Sequence, residues 1–521
     1  MSAAGAAAPR TVGETWSASQ AAHADRVAIV AGATRHTYRE AAARIDALAA
    51  SLAARGGVRP GDVVALLAPN GAEFVIAYLG IVTAGAIVMP VDERLLAGEV
   101  GAMLRESGAV GLILAAPLAT RVPLGRGGFP SLHWMLAIGG GVAGAERWDV
   151  WCAPEAPSEA AAGRPRVGDD DIAELMYTSG TAGESKPVLR SHRNVRAAVR
   201  NATVGFGYRE GDVILIGMPL SHSSALNSQM LPILALGGTV VILERFTVRA
   251  ALDTIRAEGV TCMRAVPSMI QALLASPEFG AAGLPSLRLI VNSSAAIDEA
   301  VFVALKRRFA AIEVMNSYGL TEASTCTALP DAEALARAAS IGAAIPGVAM
   351  ALRDAGGREV APGDEGEIWV RGDHVFAAYR GRPGLRERVV IDGWLRTGDL
   401  AHVDADGYFY LHGREDDVID CGGRKFAPPE VERVILELAD VADAAVVGVP
   451  HRMLGHVAKA YIVPRAGAAI EPRAVIRHCQ SRLASYKVPF AVEVIAALPR
   501  NSLGKLVRRR LQDARAEGDA A

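Results

Sequence analysis

The stretch Tyr177-Thr178-Ser179-Gly180-Thr181-Ala182-Gly183-Glu184-Ser185-Lys186 sets hydroxyls, glycines and a lysine side by side. Just before it, residues 171–177 mix acidic and apolar side chains as a strand entering a loop does. Gly180 and Gly183 can take positive φ, so that successive backbone amides converge on an anion, and Lys186 adds a point charge. Together they describe a loop that wraps a polyphosphate. A Walker A loop requires Gly-x-x-x-x-Gly-Lys-Ser/Thr running into a helix. Here Ser185 precedes Lys186 and Pro187 follows it, so that reading fails. Taken alone, the segment also fits a plain Gly/Ser/Thr surface loop; the sequence downstream weighs against this.

On either side, apolar runs alternate with helical stretches. Val27-Ala28-Ile29-Val30, Val63-Val64-Ala65-Leu66-Leu67 and Ala86-Ile87-Val88-Met89, with a helix predicted over 38–54, read as one set of βα units. A second set is predicted over 212–309, with strands at 213–216, 239–243 and 287–291. Residues 154–170, rich in Pro, Ala and Gly, read as a surface loop. The apolar run 74–91 is nearly long enough to span a bilayer. Gly80, Gly85 and Pro90 punctuate it, so a buried helix followed by a buried strand is expected instead. From 348 to 410 the pattern shifts to short alternating strands with glycine turns. The sharpest boundary is Gly413-Arg414-Glu415-Asp416-Asp417, beyond which lies a compact α+β stretch with helices at 429–438 and 472–483 and strands at 444–449, 458–463 and 492–495.

A chain of 521 residues exceeds the size of one core, so at least two domains are expected. Its 51% hydrophobic and 21% charged residues are those of an ordinary globular enzyme, and the net charge of -2 argues against a nucleic-acid binder. Only Lys505-Leu506-Val507-Arg508-Arg509-Arg510 is densely basic, which reads as a solvated helix face. Cys152, Cys262, Cys326, Cys421 and Cys479 lie far apart without C-x-x-C spacing, indicating neither a zinc site nor a disulfide framework. The N-terminal residues lack the pattern of a secretory signal. A cytoplasmic protein without a membrane span is therefore expected.

Four further segments suit nucleotide chemistry. Asn316-Ser317-Tyr318-Gly319-Leu320-Thr321-Glu322 offers an aromatic face for a base, a hydroxyl, and a carboxylate for a magnesium ion. Gly393-Trp394-Leu395-Arg396-Thr397-Gly398-Asp399-Leu400 places a carboxylate in a turn, where it can accept from two ribose hydroxyls. Gly422-Gly423 permits close backbone approach, and Pro499-Arg500-Asn501-Ser502-Leu503-Gly504-Lys505 sets a lysine on a glycine turn.

With these motifs in this order, the sequence from about residue 11 to 511 resembles the adenylate-forming superfamily of acyl- and aryl-CoA synthetases, peptide-synthetase adenylation domains and luciferases. Gly61-Asp62-Val63-Val64 through Pro69-Asn70-Gly71 also looks like that family's N-terminal pattern. The resemblance implies an α/β fold with an N-terminal domain (1–413) of two α/β subdomains and a small β-barrel, a hinge (414–416) and a small mobile α+β C-terminal lid (417–521). It implies activation of a carboxylic acid by ATP and Mg²⁺ to an acyl-adenylate, followed by thioester formation with CoA. Position by position, Thr178, Ser179, Gly180, Thr181, Gly183 and Lys186 resemble the residues around the β- and γ-phosphates. Tyr318 and Gly319 match the adenine site, Thr321 the α-phosphate contact, and Glu322 the metal ligand. Asp399 and Arg414 match the ribose site, and Lys505 the lysine bridging substrate carboxylate and α-phosphate. Asp416 matches the hinge residue, and Gly422 and Gly423 the loop of the thiol tunnel.

The pattern departs at Pro187, at Ala182, at Asn292-Ser293-Ser294-Ala295-Ala296, at Asp420, and at His451 and His456, where acidic residues are usual. By resemblance His222, Ser223, Asn227, Ser294 and Ala295 line the acid pocket. Ser223 stands where amino-acid-activating relatives carry an aspartate, which disfavours an α-amino acid. Small polar walls suit an aryl or a short to medium acid with polar substituents better than a long alkyl chain, because buried hydroxyls left unpaired are costly. A stand-alone adenylating enzyme that loads the phosphopantetheine of a separate carrier protein is the alternative; a degenerate nucleotide-binding module is a third reading.

Overall fold

The computed structural model describes residues 9–123, 128–153, 167–178, 185–280, 283–294, 297–501 and 504–513. Contacts gather them into two compact units. The larger holds the chain up to Thr178, then Lys186–Ala349 and Val370–Leu395, and the smaller holds Met350–Trp369 and the chain from Arg396 onward.

Two sheets build the larger unit. The first has eight strands in the order Ala378–Tyr379, Pro187–Ser191, Ile172–Tyr177, Ile87–Pro90, Val63–Leu67, Gly111–Ala115, Trp134–Ile138 and Glu146–Arg147. Its centre is parallel, and Val63–Leu67 is buried at every position, as a parallel strand covered on both faces must be. The apolar run folds as the helix Ala72–Thr83 followed by the strand Ile87–Pro90. Among the described residues no helix is long and apolar enough to cross a membrane. A Cβ on Gly80 would meet Leu48 Cδ2 at 2.6 Å, so glycine there lets Ala72–Thr83 lie tightly on the helix Tyr38–Ala54. The latter starts on a capping box: Thr37 accepts from the Glu40 N–H, and the Glu40 carboxylate accepts from the Thr37 N–H.

The second sheet runs Glu313–Asn316, Leu289–Asn292, Cys262–Ala265, Val213–Ile216, Thr239–Ile242, Val27–Ala31 and Thr34–Thr37, parallel except at the last strand. Val27–Ala31 therefore does not begin the first βα set, as its place in the sequence suggested. It pairs Ile29 with Val240, Val30 with Val241 and Ala31 with Ile242. An apolar buried strand fits any parallel edge. The choice is made by side chains around it: Thr239 Oγ1 donates to the Val27 carbonyl at 2.7 Å, and Tyr38 Oη donates to the carbonyls of Leu234 and Gly238 at 3.0 and 2.8 Å.

The glycine-rich region forms a five-stranded sheet of Ala349–Arg353, Gly366–Arg371, Trp394–Val403 and Val390–Ile391, with Phe409–Arg414 paired to Trp394–Val403. No pairing among the described residues closes it into the expected barrel. The chain then builds a second five-stranded sheet. Gly455–Pro464, the second strand of its long hairpin with Val441–His451, pairs on its other edge with Ile419–Cys421 at Gly455 and, further along, with the parallel strand Ala491–Val494, while Arg424–Phe426 pairs with Ile419–Cys421. Helices Pro428–Leu436 and Pro472–Gln480 cover it through a core that includes Val431, Ile435, Val446, Ile462, Val475 and Cys479.

Two buried histidines give the larger unit a defined acid response. Burial holds His192 and His374 down, each to about 4. An unfolded histidine titrates near 6.5, so between those values the unfolded chain binds protons that the folded chain refuses, and stability falls as pH drops through this window. Urea unfolding at pH 7 and pH 5 is expected to show a lower midpoint at pH 5, and the difference should shrink in His374→Gln.

Candidate active site

The strands Ile172–Tyr177 and Pro187–Ser191 form an antiparallel pair in which Tyr177 faces Pro187. Past the last pair the neck of the loop is tied twice: the Thr178 N–H donates to the Lys186 carbonyl and the Lys186 N–H to Thr178 Oγ1, both at 3.0 Å. Ser179, Gly180, Thr181 and Gly183 lie outside the described residues. Lys186 Nζ stands 5.9 Å from the centre of the Tyr379 ring, and Tyr379 Oη donates to Glu322 Oε1 at 3.1 Å. Burial and the neighbouring carboxylate push the Tyr379 phenol far above its ordinary range, so it remains a donor. A cation, a phenol and a carboxylate thus stand in a row.

Glu322 is carried by a tight hairpin. Gly319–Leu320 pairs with Ser324–Thr325, leaving Thr321, Glu322 and Ala323 at its turn. A Cβ on Gly319 would sit 2.0 Å from the Ser324 carbonyl oxygen, so only glycine allows the two strands to close. Tyr318 follows the C-terminal end of the strand Glu313–Asn316 and is half-buried. Its N–H donates to Thr327 Oγ1 at 3.1 Å, and its carbonyl accepts from the N–H of Cys326 at 2.9 Å. The Glu322 carbonyl accepts from the Phe376 N–H at 2.8 Å, which fixes the hairpin to the segment bearing Tyr379.

In the smaller unit Asp399 and Arg414 are directly opposed on neighbouring strands, with Arg414 Nη1 3.0 Å from Asp399 Oδ1. Asp399 lies within the strand Trp394–Val403 and not in the expected turn; Gly398 before it takes φ 72°, and its N–H donates to Glu367 Oε1 at 2.9 Å. Asp416 is exposed in the short turn Glu415–Asp417. Gly422 and Gly423, at φ 62° and 82°, form the two-residue turn joining Cys421 to Arg424, a geometry that needs positive φ at both positions. Lys505 lies on a turn held by Asn501, whose Oδ1 accepts from the Lys505 N–H and whose N–H donates to the Lys505 carbonyl, both at 2.9 Å. Burial raises the Asp417 carboxyl, while Arg508, Arg414 and Lys505 draw it back down, so two of the expected site cations share one carboxylate.

The expected acid-pocket residues divide. His222 Nε2 is 3.2 Å from Asp92 Oδ2. Ser223 and Asn227 belong to a buried polar network: Arg190 Nη1 lies 3.5 Å from Glu174 Oε2 and donates to Ser223 Oγ at 3.2 Å. Asn227 Nδ2 and Tyr78 Oη both donate to Glu174, at 3.1 and 2.6 Å. Neither Arg190 nor Glu174 has any exposed side-chain surface. Ser223 Oγ also lies 3.0 Å from Ser324 Oγ, connecting this network to the hairpin that carries Glu322. Ser294 ends the strand Leu289–Asn292 region at φ 70°; Ala295 lies outside the described residues. Sequence reasoning missed Tyr379, Glu174, Arg190 and Asp92. The only signal for the pair Glu174 and Arg190 was two charges inside otherwise apolar strands.

A segment of polyphosphate-binding composition between two antiparallel strands of an otherwise largely parallel sheet, with an aromatic residue after a strand end and a carboxylate on the hairpin that follows, is the arrangement of a nucleotide-using enzyme. The model for AMP-binding enzymes matches residues 16–380, and the model for the AMP-binding enzyme C-terminal domain matches residues 430–505. The chain belongs to the AMP-binding enzyme family, as its motifs indicated. It is 35% identical over 497 residues to a feruloyl-CoA synthase of Amycolatopsis sp, covering 92% of this chain and 94% of the relative. It is 32% identical over 486 residues to the long-chain-fatty-acid–CoA ligase FadD13 of Mycobacterium tuberculosis, covering 92% and 93%. Among solved structures it resembles the o-succinylbenzoate coenzyme A synthetase of Bacillus subtilis in complex with ATP and magnesium ion. The TM-score is 0.82 at 28% identity, over 95% of this chain and 98% of that one.

Proposed function

We propose that this chain is an AMP-forming carboxylate–CoA ligase acting on an aryl or a short to medium acid. A carboxylate oxygen attacks the α-phosphorus of ATP, the bond from that phosphorus to the bridging oxygen breaks, and pyrophosphate leaves. The sulfur of CoA then attacks the acyl carbonyl, and AMP departs with the electron pair of the broken C–O bond. The observation that carries this reading is the row Lys186, Tyr379 and Glu322 beside the tied neck of the loop.

In this reading Thr178 to Lys186 embrace the β- and γ-phosphates, Tyr318 and Gly319 take the adenine, and Thr321 contacts the α-phosphate. Asp399 and Arg414 hold the ribose, and Lys505 meets the negative charge that builds at the reacting phosphorus. Glu322 fits Mg²⁺ by its chemistry: it sets a single carboxylate at the hairpin turn, in the row with Tyr379 and Lys186, and Mg²⁺ characteristically binds through one or two carboxylates plus substrate phosphates and water. The ion would neutralise phosphate charge. Rotation about Asp416 would exchange Lys505 for the Gly422–Gly423 turn between the two half-reactions.

The test is mass spectrometry of reactions containing ATP, Mg²⁺ and a panel of aryl, short, medium and long acids, each with and without CoA. Acyl-CoA and AMP from an aryl or short to medium acid is the expected outcome. Acyl-adenylate that never becomes a thioester would shift the acceptor to a carrier-protein phosphopantetheine, and a clear preference for palmitate over benzoate-type acids would overturn the assigned acid class.

A further inference from the structure

The parallel strands of the seven-stranded sheet end together, and ligands of such sheets bind beyond the carboxyl ends of the strands. Met218 follows Val213–Ile216, Ser293 and Ser294 follow Leu289–Asn292, and Tyr318 follows Glu313–Asn316. Gln229 reaches this edge from a single π-helical turn, Leu226–Met230, a local irregularity that recurs at functional sites. Its side chain is fully buried. Its Nε2 donates to the Ser224 carbonyl at 3.3 Å and lies 3.5 Å from Met218 Sδ. Ser293 Oγ lies 4.0 Å from the same sulfur, which brings the end of the second strand to this spot.

With its nitrogen so occupied, Gln229 Oε1 has no hydrogen-bond partner among the described residues, and neither do Ser224 Oγ and Ser294 Oγ. A buried carbonyl oxygen left without a donor is destabilising, and it can only accept, so its absent partner is a donor. The groups gathered there, an amide, hydroxyls and a thioether, carry no charge to offset a buried ammonium. We infer that Gln229 is a specificity residue whose Oε1 accepts a hydrogen bond from a neutral hydroxyl or N–H substituent on the acid, with Ser224 beside it. This rests on the ligase reading above and narrows its acid to one bearing a neutral donor away from the carboxylate.

The test is kcat/KM for adenylation by the full chain with matched acids: benzoate and its hydroxybenzoates, cinnamate and 4-hydroxycinnamate, hexanoate and 6-hydroxyhexanoate. In the pair the enzyme accepts best, the hydroxylated member is expected to win by about 10-fold or more. Gln229→Met should bring that ratio near one while the unhydroxylated acid is turned over as well as before or better. Gln229→Asn, which withdraws the carbonyl by one methylene and disturbs the fold less, should lower the ratio too. An unchanged ratio in either folded variant, or a wild type that prefers the unhydroxylated member of every pair, overturns the inference and leaves the ligase intact. Failure of the wild type to form adenylate from any acid would instead sink the ligase reading, and this inference with it.

Discussion

Lys505→Ala is expected to slow adenylate formation by about 10²–10³-fold, the usual effect of removing one charge-stabilising donor from a transition state. Conversion of supplied acyl-adenylate to thioester should largely survive. The structure makes the substitution a clean one. The turn is held through the backbone of Lys505 by Asn501, and Arg500 bridges to Leu506 across it, so alanine leaves the turn its hydrogen bonds. What is lost is the ammonium group. Single-turnover measurements of pyrophosphate release, set against thioester formation from synthetic acyl-adenylate, separate the two half-reactions. Equal loss in both would count against a lysine that serves only the first.

The second large effect is on stability. Arg190→Met strands the Glu174 carboxylate, which has no exposed surface, with Tyr78 and Asn227 as donors but no counter-charge. Breaking a buried pair from one side typically costs about 3–5 kcal/mol, whereas replacing both partners with apolar residues is often neutral. Arg190→Met is therefore expected to lower the urea midpoint of the larger unit sharply, and Glu174→Leu combined with Arg190→Met should recover most of the loss. Because Ser223 joins this network to Ser324, the single variant should also lose adenylation activity beyond its unfolded fraction. A single variant as stable as wild type would show that the pair contributes nothing as a pair.

The sequence was most legible where local chemistry decides the outcome. The helix Tyr38–Ala54 could be placed to the residue because Thr37 and Glu40 cap it and its apolar stripe runs unbroken. The C-terminal elements fell within a few residues of their observed bounds, since glycine turns and alternation mark them. Strand partnership was not legible, as Val27–Ala31 shows, because an apolar strand carries no label for the sheet it joins. For the site, the residues that sequence could propose were those with a motif around them: Lys186, Tyr318, Glu322, Asp399, Arg414 and Lys505. Tyr379 was not among them, since a tyrosine far along the chain meets Glu322 only through the fold. Gln229 was not either, because the signal it gives is an empty hydrogen-bonding position, which no spacing of residues encodes.

The place of Val27–Ala31 in its sheet also bears on how the molecule is made. The neighbour it pairs with in parallel, Thr239–Ile242, is synthesised some two hundred residues later. At translation rates of about 5–20 residues per second, the N-terminal strand waits roughly 10–40 s on the ribosome before its partner exists. Among the described residues its other native pairing is the hairpin with Thr34–Thr37, and a lone two-stranded hairpin is marginal in water. The nascent chain thus carries an apolar strand early and long, which marks this segment as the one where chaperone occupancy during synthesis should concentrate.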